Sequence, residues 1–145
     1  MAKELSIQDD IIDYINSLPQ GRAENVSGNA RQSGRADINA CIKGLLFKIE
    51  VKTEETRYGR KGATTKQRLY LEKWARAGAV SCVVYSVEDV KWVIQRNTRL
   101  RLGNYVFEEG KGYVSFKQST KGEFELSGRG KWYDVQNKRW VDISY

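Results

Sequence analysis

The stretch DINACIKGLLFKIEVKT, residues 37 to 53, constrains the fold more than any other part of the chain. Lys43-Gly44 separates two runs of alternating character, Asp37 to Ile42 and Leu45 to Thr53, and that pattern predicts a β-hairpin. Side chains alternate between the two faces of a strand. Leu45, Phe47, Ile49 and Val51 then share a core face, while Leu46, Lys48, Glu50 and Lys52 share the outward one. Glu50 and Lys52 are neighbours there, with Cα atoms about 6.6 Å apart. Asp37, on the partner strand, reaches the same face. A lone exposed Glu–Lys pair is commonplace and worth little. Two carboxylates aimed at one point beside a lysine are another matter, because they repel unless a cation joins them.

The flanking segments predict helices around this hairpin. Ile7, Ile11, Ile15 and Leu18 recur at helical spacing, and Pro19-Gln20-Gly21 ends the run. The helix starts near Lys3 or at a Ser6–Asp9 capping pair. Residues 20 to 35 are polar and rich in Gly, Ser, Asn and Arg, which predicts a loop. Residues 54 to 63 form a second, basic loop, and Thr64 or Thr65 caps a helix running to about Ala77, with Leu71, Trp74 and Ala75 inward and Gly78 as its stop. A buried strand follows over Val80 to Tyr85, then a helix from Ser86-Val87-Glu88-Asp89. The order is that of an α/β domain, a mixed β-sheet flanked by helices. It occupies residues 1–96. From 97 to 145 short alternating runs punctuated by glycine predict a C-terminal β-meander extension, packed on the core or beside it.

Composition narrows the chemistry. There is no histidine, which removes Ser-His-Asp and Cys-His catalysis and every histidine-based metal site. Cys41 and Cys82 lie in apolar, strand-like contexts and read as reduced core thiols of an intracellular protein. No apolar run approaches membrane-spanning length, and MAKELSIQDD has no secretory h-region. The formal net charge is +7, which favours a polyanionic partner. Arg57, Arg60, Lys61, Lys66 and Arg68 follow the hairpin with no acid among them. Oxygen ligands at Asp37 and Glu50 suit Mg²⁺ or Mn²⁺, and a lysine beside them can orient an attacking water.

Gly34-Arg35-Ala36-Asp37, then Glu50-Val51-Lys52, then Gln67, resembles the PD-(D/E)XK nuclease superfamily, and the segment GAVSCVVYSVEDV resembles in particular its virus-type replication-repair (VRR-NUC) branch. The resemblance covers about residues 4 to 94 and departs from the family at Ala36, where proline is frequent. It implies a restriction-endonuclease-like core and a Mg²⁺- or Mn²⁺-dependent deoxyribonuclease. Such an enzyme would be an endonuclease selective for branched, flapped or junction DNA in replication, recombination or repair, in a phage-infected cell or the bacterial nucleoid. Asp37, Glu50 and the Val51 carbonyl would hold the metal, Lys52 would position water, and Gln67 would orient water or phosphate. Glu4 matches the first-helix glutamate of the family; Asp9 and Asp10 stay open as alternatives. Arg31, Arg35, Arg57, Arg60, Lys61, Lys66 and Arg68 would contact DNA. The resemblance also allows a homodimer. The alternative reading of the same residues is a nucleic-acid-binding module that keeps this fold without cutting.

Overall fold

The expected hairpin lies in the middle of the molecule. The computed structural model describes residues 2–26, 36–54, 62–101, 105–108, 112–115 and 125–144. In chain order the elements are α1 (Ala2–Ser17), β1 (Gly21–Asn25), β2 (Ile38–Ile42), β3 (Leu45–Val51), α2 (Thr65–Arg76), β4 (Val80–Val84) and α3 (Val87–Arg101). Four further strands follow: β5 (Tyr105–Glu108), β6 (Gly112–Ser115), β7 (Lys131–Asp134) and β8 (Arg139–Asp142). Lys43 and Gly44 both take positive φ, 48° and 81°, which is the primed turn that matches the twist of a two-residue hairpin.

The main sheet has six strands in the order β1-β2-β3-β4-β7-β8. It is mixed: β3 and β4 are parallel, Phe47 opposite Val80, and the other neighbours are antiparallel. This is an α/β architecture. On one face Ile11, Ile15 and Leu18 of α1 and Val90, Val93 and Ile94 of α3 pack against Ile38, Phe47, Ile49, Val51 and Val84. Each such buried side chain contributes about 1.5–3 kcal/mol of transfer free energy. On the other face α2 lays Leu71 against Ala36, Val83 and Tyr85. No helix among the described residues is long and apolar enough to cross a membrane.

Several expectations are corrected. Residues 20 to 35 are not wholly a loop, since Gly21–Asn25 is an edge strand paired with β2, Ala23 opposite Ala40. The face of β3 that carries Lys48 and Glu50 is not outward. Strand β3 is central and covered on both sides, leaving Lys48 4% and Glu50 3% exposed. Lys48 is accommodated because Tyr70 and Trp74 of α2 roof it: its Nζ donates to the Tyr70 hydroxyl at 3.3 Å and lies 4.0 Å from the Trp74 ring centre. Trp74 is therefore half-exposed rather than fully inward. Cys82 is buried, whereas Cys41 is exposed, and both are free thiols.

The C-terminal segment does not behave as one meander. Helix α3 runs across position 97 to Arg101, and β5 and β6 form a separate two-stranded sheet. Strand β7 instead joins the main sheet beside β4, with Val83 opposite Lys131. The seam is held by Asp89 at the start of α3. Its Oδ2 accepts from the Tyr85 amide at 2.9 Å and the Ser127 hydroxyl at 2.6 Å, and its Oδ1 accepts from the Ser127 amide at 3.0 Å. Ser86 closes the other half of this cap, accepting from the Asp89 amide at 3.2 Å. Gly130 leaves room for the arrangement. A Cβ there would stand 2.8 Å from Asp89 Oδ2 and 2.9 Å from Ile143 Cδ1.

Candidate active site

The register of the hairpin explains why two acids meet. Strand pairing ends with Ile38 opposite Ile49, so Asp37 falls opposite Glu50, on the same face. At this end of β2 the chain leaves the ladder, and the Val51 amide donates to Asp37 Oδ2 at 2.8 Å. On the other side Lys52 continues the parallel pairing, its amide donating to the Val84 carbonyl at 2.9 Å. The backbone that carries Asp37, Glu50 and Lys52 is thus fixed from both neighbouring strands.

Gln67 fixes the glutamate. The chain segment Thr64-Thr65-Lys66-Gln67 forms a capping box: Thr64 Oγ1 accepts from the Gln67 amide at 3.1 Å, and Gln67 Oε1 accepts from the Thr64 amide at 2.9 Å. The remaining polar atom of the Gln67 side chain, Nε2, donates to Glu50 Oε1 at 2.9 Å. One residue therefore starts α2 and holds the strand carboxylate. Lys52 Nζ stands 3.7 Å from the same Oε1. Glu50 Oε2 is buried with no hydrogen-bond donor among the described residues.

The electrostatics follow from that crowding. Burial pushes the Glu50 carboxyl up to about 9, and the nearby Asp37 charge adds to the rise; Lys52 opposes it. Burial likewise raises Asp37, against the hydrogen bond from Val51 and the Lys52 charge. Glu4, on the first turn of α1, is half-buried in the same field, raised by burial first and by Asp37 second. Asp9, Asp10 and Asp13, the other acids of α1, are exposed. Glu4 is thus the acid of α1 that faces the pair. Asp37, Glu50, Lys52 and Gln67 are brought together, and Glu4 lies within their electrostatic field without converging on the two carboxyls.

This donor set fits a divalent cation. A buried carboxylate oxygen without a donor, opposite a second carboxylate, is satisfied by a proton or a metal and by little else. The ligands offered are oxygen only, as Mg²⁺ and Mn²⁺ require. Among the described residues no three His, Cys, Asp or Glu side chains converge on one point; the protein offers the acidic pair, with the Val51 backbone beside it, and leaves other positions to water or substrate. Such an incomplete shell is normal for Mg²⁺ sites that also take up phosphate oxygens.

The residues expected to contact DNA are only partly placed. Arg31, Arg35, Arg57, Arg60 and Lys61 lie outside the described residues, while Lys66 and Arg68 are exposed on the first turn of α2 beside Gln67. Two cations that the sequence did not single out, Arg129 and Lys131, also come near the site. Arg129 Nε pairs with Glu54 Oε1 at 2.6 Å, two residues beyond Lys52. Their local signal, two cations beside glycines in GRGKW, says nothing about what they face. Comparison of the chain with protein-family models, with curated proteins and with solved structures finds no match.

Proposed function

We propose that this protein is a Mg²⁺- or Mn²⁺-dependent DNA endonuclease with a restriction-endonuclease-like core. The observation that carries the reading is the buried Asp37–Glu50 pair, with an unpartnered oxygen, set beside a lysine and pinned by Gln67. A binding module gains nothing from burying two mutually repelling carboxylates next to a phosphate site. An enzyme that holds a divalent ion there does.

A bound ion would supply Lewis-acid polarisation of the scissile phosphate and charge neutralisation in the transition state. Asp37 and Glu50 would hold it, with the Val51 carbonyl as a further ligand. Gln67 keeps Glu50 from turning away. The Lys52 ammonium, at the rim and 13% exposed, orients the attacking water and faces the charge that grows on the phosphoryl oxygens. The water oxygen bonds to phosphorus and its proton passes to solvent, a P–O ester bond breaks, and the departing sugar oxygen takes up a proton from solvent. Glu4 adds negative field to the site. The exposed Lys66 and Arg68 face the DNA backbone.

The reading is tested by incubating the purified protein with end-labelled branched, flapped, duplex and single-stranded DNA in Mg²⁺, Mn²⁺ or EDTA. Internal cutting with either metal and none in EDTA is expected, fastest on a branched or flapped substrate. Intact substrate under every condition, with DNA still bound, would instead favour the non-catalytic module.

A further inference from the structure

Beside the acidic site runs a groove of about 450 Å³ between α2 and the β7–β8 hairpin. Arg68, Arg129 and Lys131 line it together with Trp140, and Gly128 and Gly62, both at φ 78°, form parts of its rim without side chains. Three of its lining residues lead to the site. Arg68 follows Gln67, Tyr85 follows the Val84 that binds the Lys52 amide, and Arg129 is tied to Glu54. Trp140 is held rigidly: its Nε1 donates to Glu72 Oε2 at 3.1 Å, and its ring meets Tyr133 edge-on at 5.3 Å.

We propose that this groove binds an unpaired DNA strand on the flank of the scissile phosphate, with Arg68, Arg129 and Lys131 on its phosphates and the fixed Trp140 indole under a base. What is bound rests on the nuclease reading; where it is bound rests on the groove. Cations that track a backbone next to an immobile aromatic ring are the usual means of holding single strands. A concave slot of this size excludes a duplex, which is read by elements that project into its grooves. In the DNA-free protein two of these cations are covered by exchangeable carboxylates. Arg129 pairs with Glu54, which is 51% exposed, and Lys131 pairs with Asp142, which is 67% exposed. Exposed pairs of this kind are weak, so a phosphate can replace either acid. Glu54 thereby competes with the strand.

The test is fluorescence anisotropy of a labelled single-stranded oligonucleotide in EDTA, where nothing is cut, with the matching duplex measured in parallel. The double variant Arg129→Gln/Lys131→Gln changes two exposed side chains, and its fold is checked by circular dichroism. It is expected to weaken single-strand binding about tenfold and to reduce the slope of log affinity against log salt by about 1.4, two phosphate contacts at about 0.7 each. Glu54→Gln is expected to tighten binding. Unchanged single-strand affinity in the double variant would overturn the groove assignment. Equal losses for strand and duplex would overturn the unpaired-strand assignment. Neither result touches the nuclease reading, which the metal-dependent cutting of the wild type decides separately.

Discussion

Glu50→Gln is expected to abolish metal-dependent cleavage and, at the same time, to stabilise the metal-free protein. The two effects have one cause. The Glu50 carboxyl sits in the folded protein at about 9, far above its ordinary value of about 4.3. A folded-state value above the unfolded one means that the native protein holds a proton which the unfolded chain releases. The stability from this group is therefore fully present below about pH 4 and is lost as pH rises toward 9. Near pH 8 the loss is on the order of 5 kcal/mol. Glutamine is neutral throughout, keeps an oxygen for Gln67 and supplies an amide proton toward Asp37. The melting temperature of the variant should match the wild type near pH 5 and exceed it increasingly toward pH 8. Mg²⁺ or Mn²⁺, which takes the proton's place, should raise the melting temperature of the wild type more at pH 8 than at pH 6, and that of Glu50→Gln little. Thermal denaturation across pH, with and without metal, reads all of this. A wild type whose stability climbs from pH 5 to pH 8 without metal would mean that Glu50 is not held in the manner described.

The largest structural effect is expected at Asp89. Its two oxygens accept from two backbone amides, those of Tyr85 and Ser127, and from the Ser127 hydroxyl, and the residue is fully buried. Asp89→Ala leaves these donors unpaired inside the protein, at about 1–3 kcal/mol for each. A total loss of about 3–5 kcal/mol follows, or roughly 10 °C in melting temperature for a chain of this length. Asp89→Asn should be nearly as costly. Either orientation of its amide turns an NH₂ toward one of the two backbone N–H groups, donor against donor. Urea denaturation separates the outcomes: an asparagine variant as stable as the wild type would show that Asp89 acts merely as a helix cap. Since the hub also positions the segment leading to Arg129 and Lys131, both variants should bind single-stranded DNA more weakly.

The parts of this protein that were legible in the sequence are those fixed by local chemistry. Lys43-Gly44 specifies a primed turn, the alternation of β3 sorts its side chains into faces, and together they place Asp37 against Glu50. Thr64 and Gln67, three apart, specify a helix start, and the same box delivers Gln67 to Glu50. Glu4 falls on the same side of α1 as Ile7 and Ile11. What could not be read depended on distant partners. Strand β1 is GRAEN, with Ala23 its only buried residue; it is a strand because β2 needs an edge, and its own pattern is silent. The burial of Lys48 and Glu50 comes from Tyr70, Trp74 and Gln67 of α2, some 20 residues away in sequence, which convert an apparently solvent-facing strand face into an interior. Likewise, nothing local in GRGKW indicates that Lys131 will pair opposite Val83, or that Asp89 will grip Ser127 across 38 residues.

The most direct test compares wild type and Lys52→Ala on one labelled DNA substrate in Mg²⁺, with Mn²⁺ affinity measured for both proteins. Lys52 is not a metal ligand here, and its removal leaves Asp37, Glu50 and Gln67 in place. The result expected is that the variant still binds Mn²⁺ while its cleavage rate falls by about 10²–10³-fold or more, the usual loss when a group that faces transition-state charge is removed. Cleavage by Lys52→Ala at the wild-type rate would contradict the assignment of this cluster as the catalytic centre.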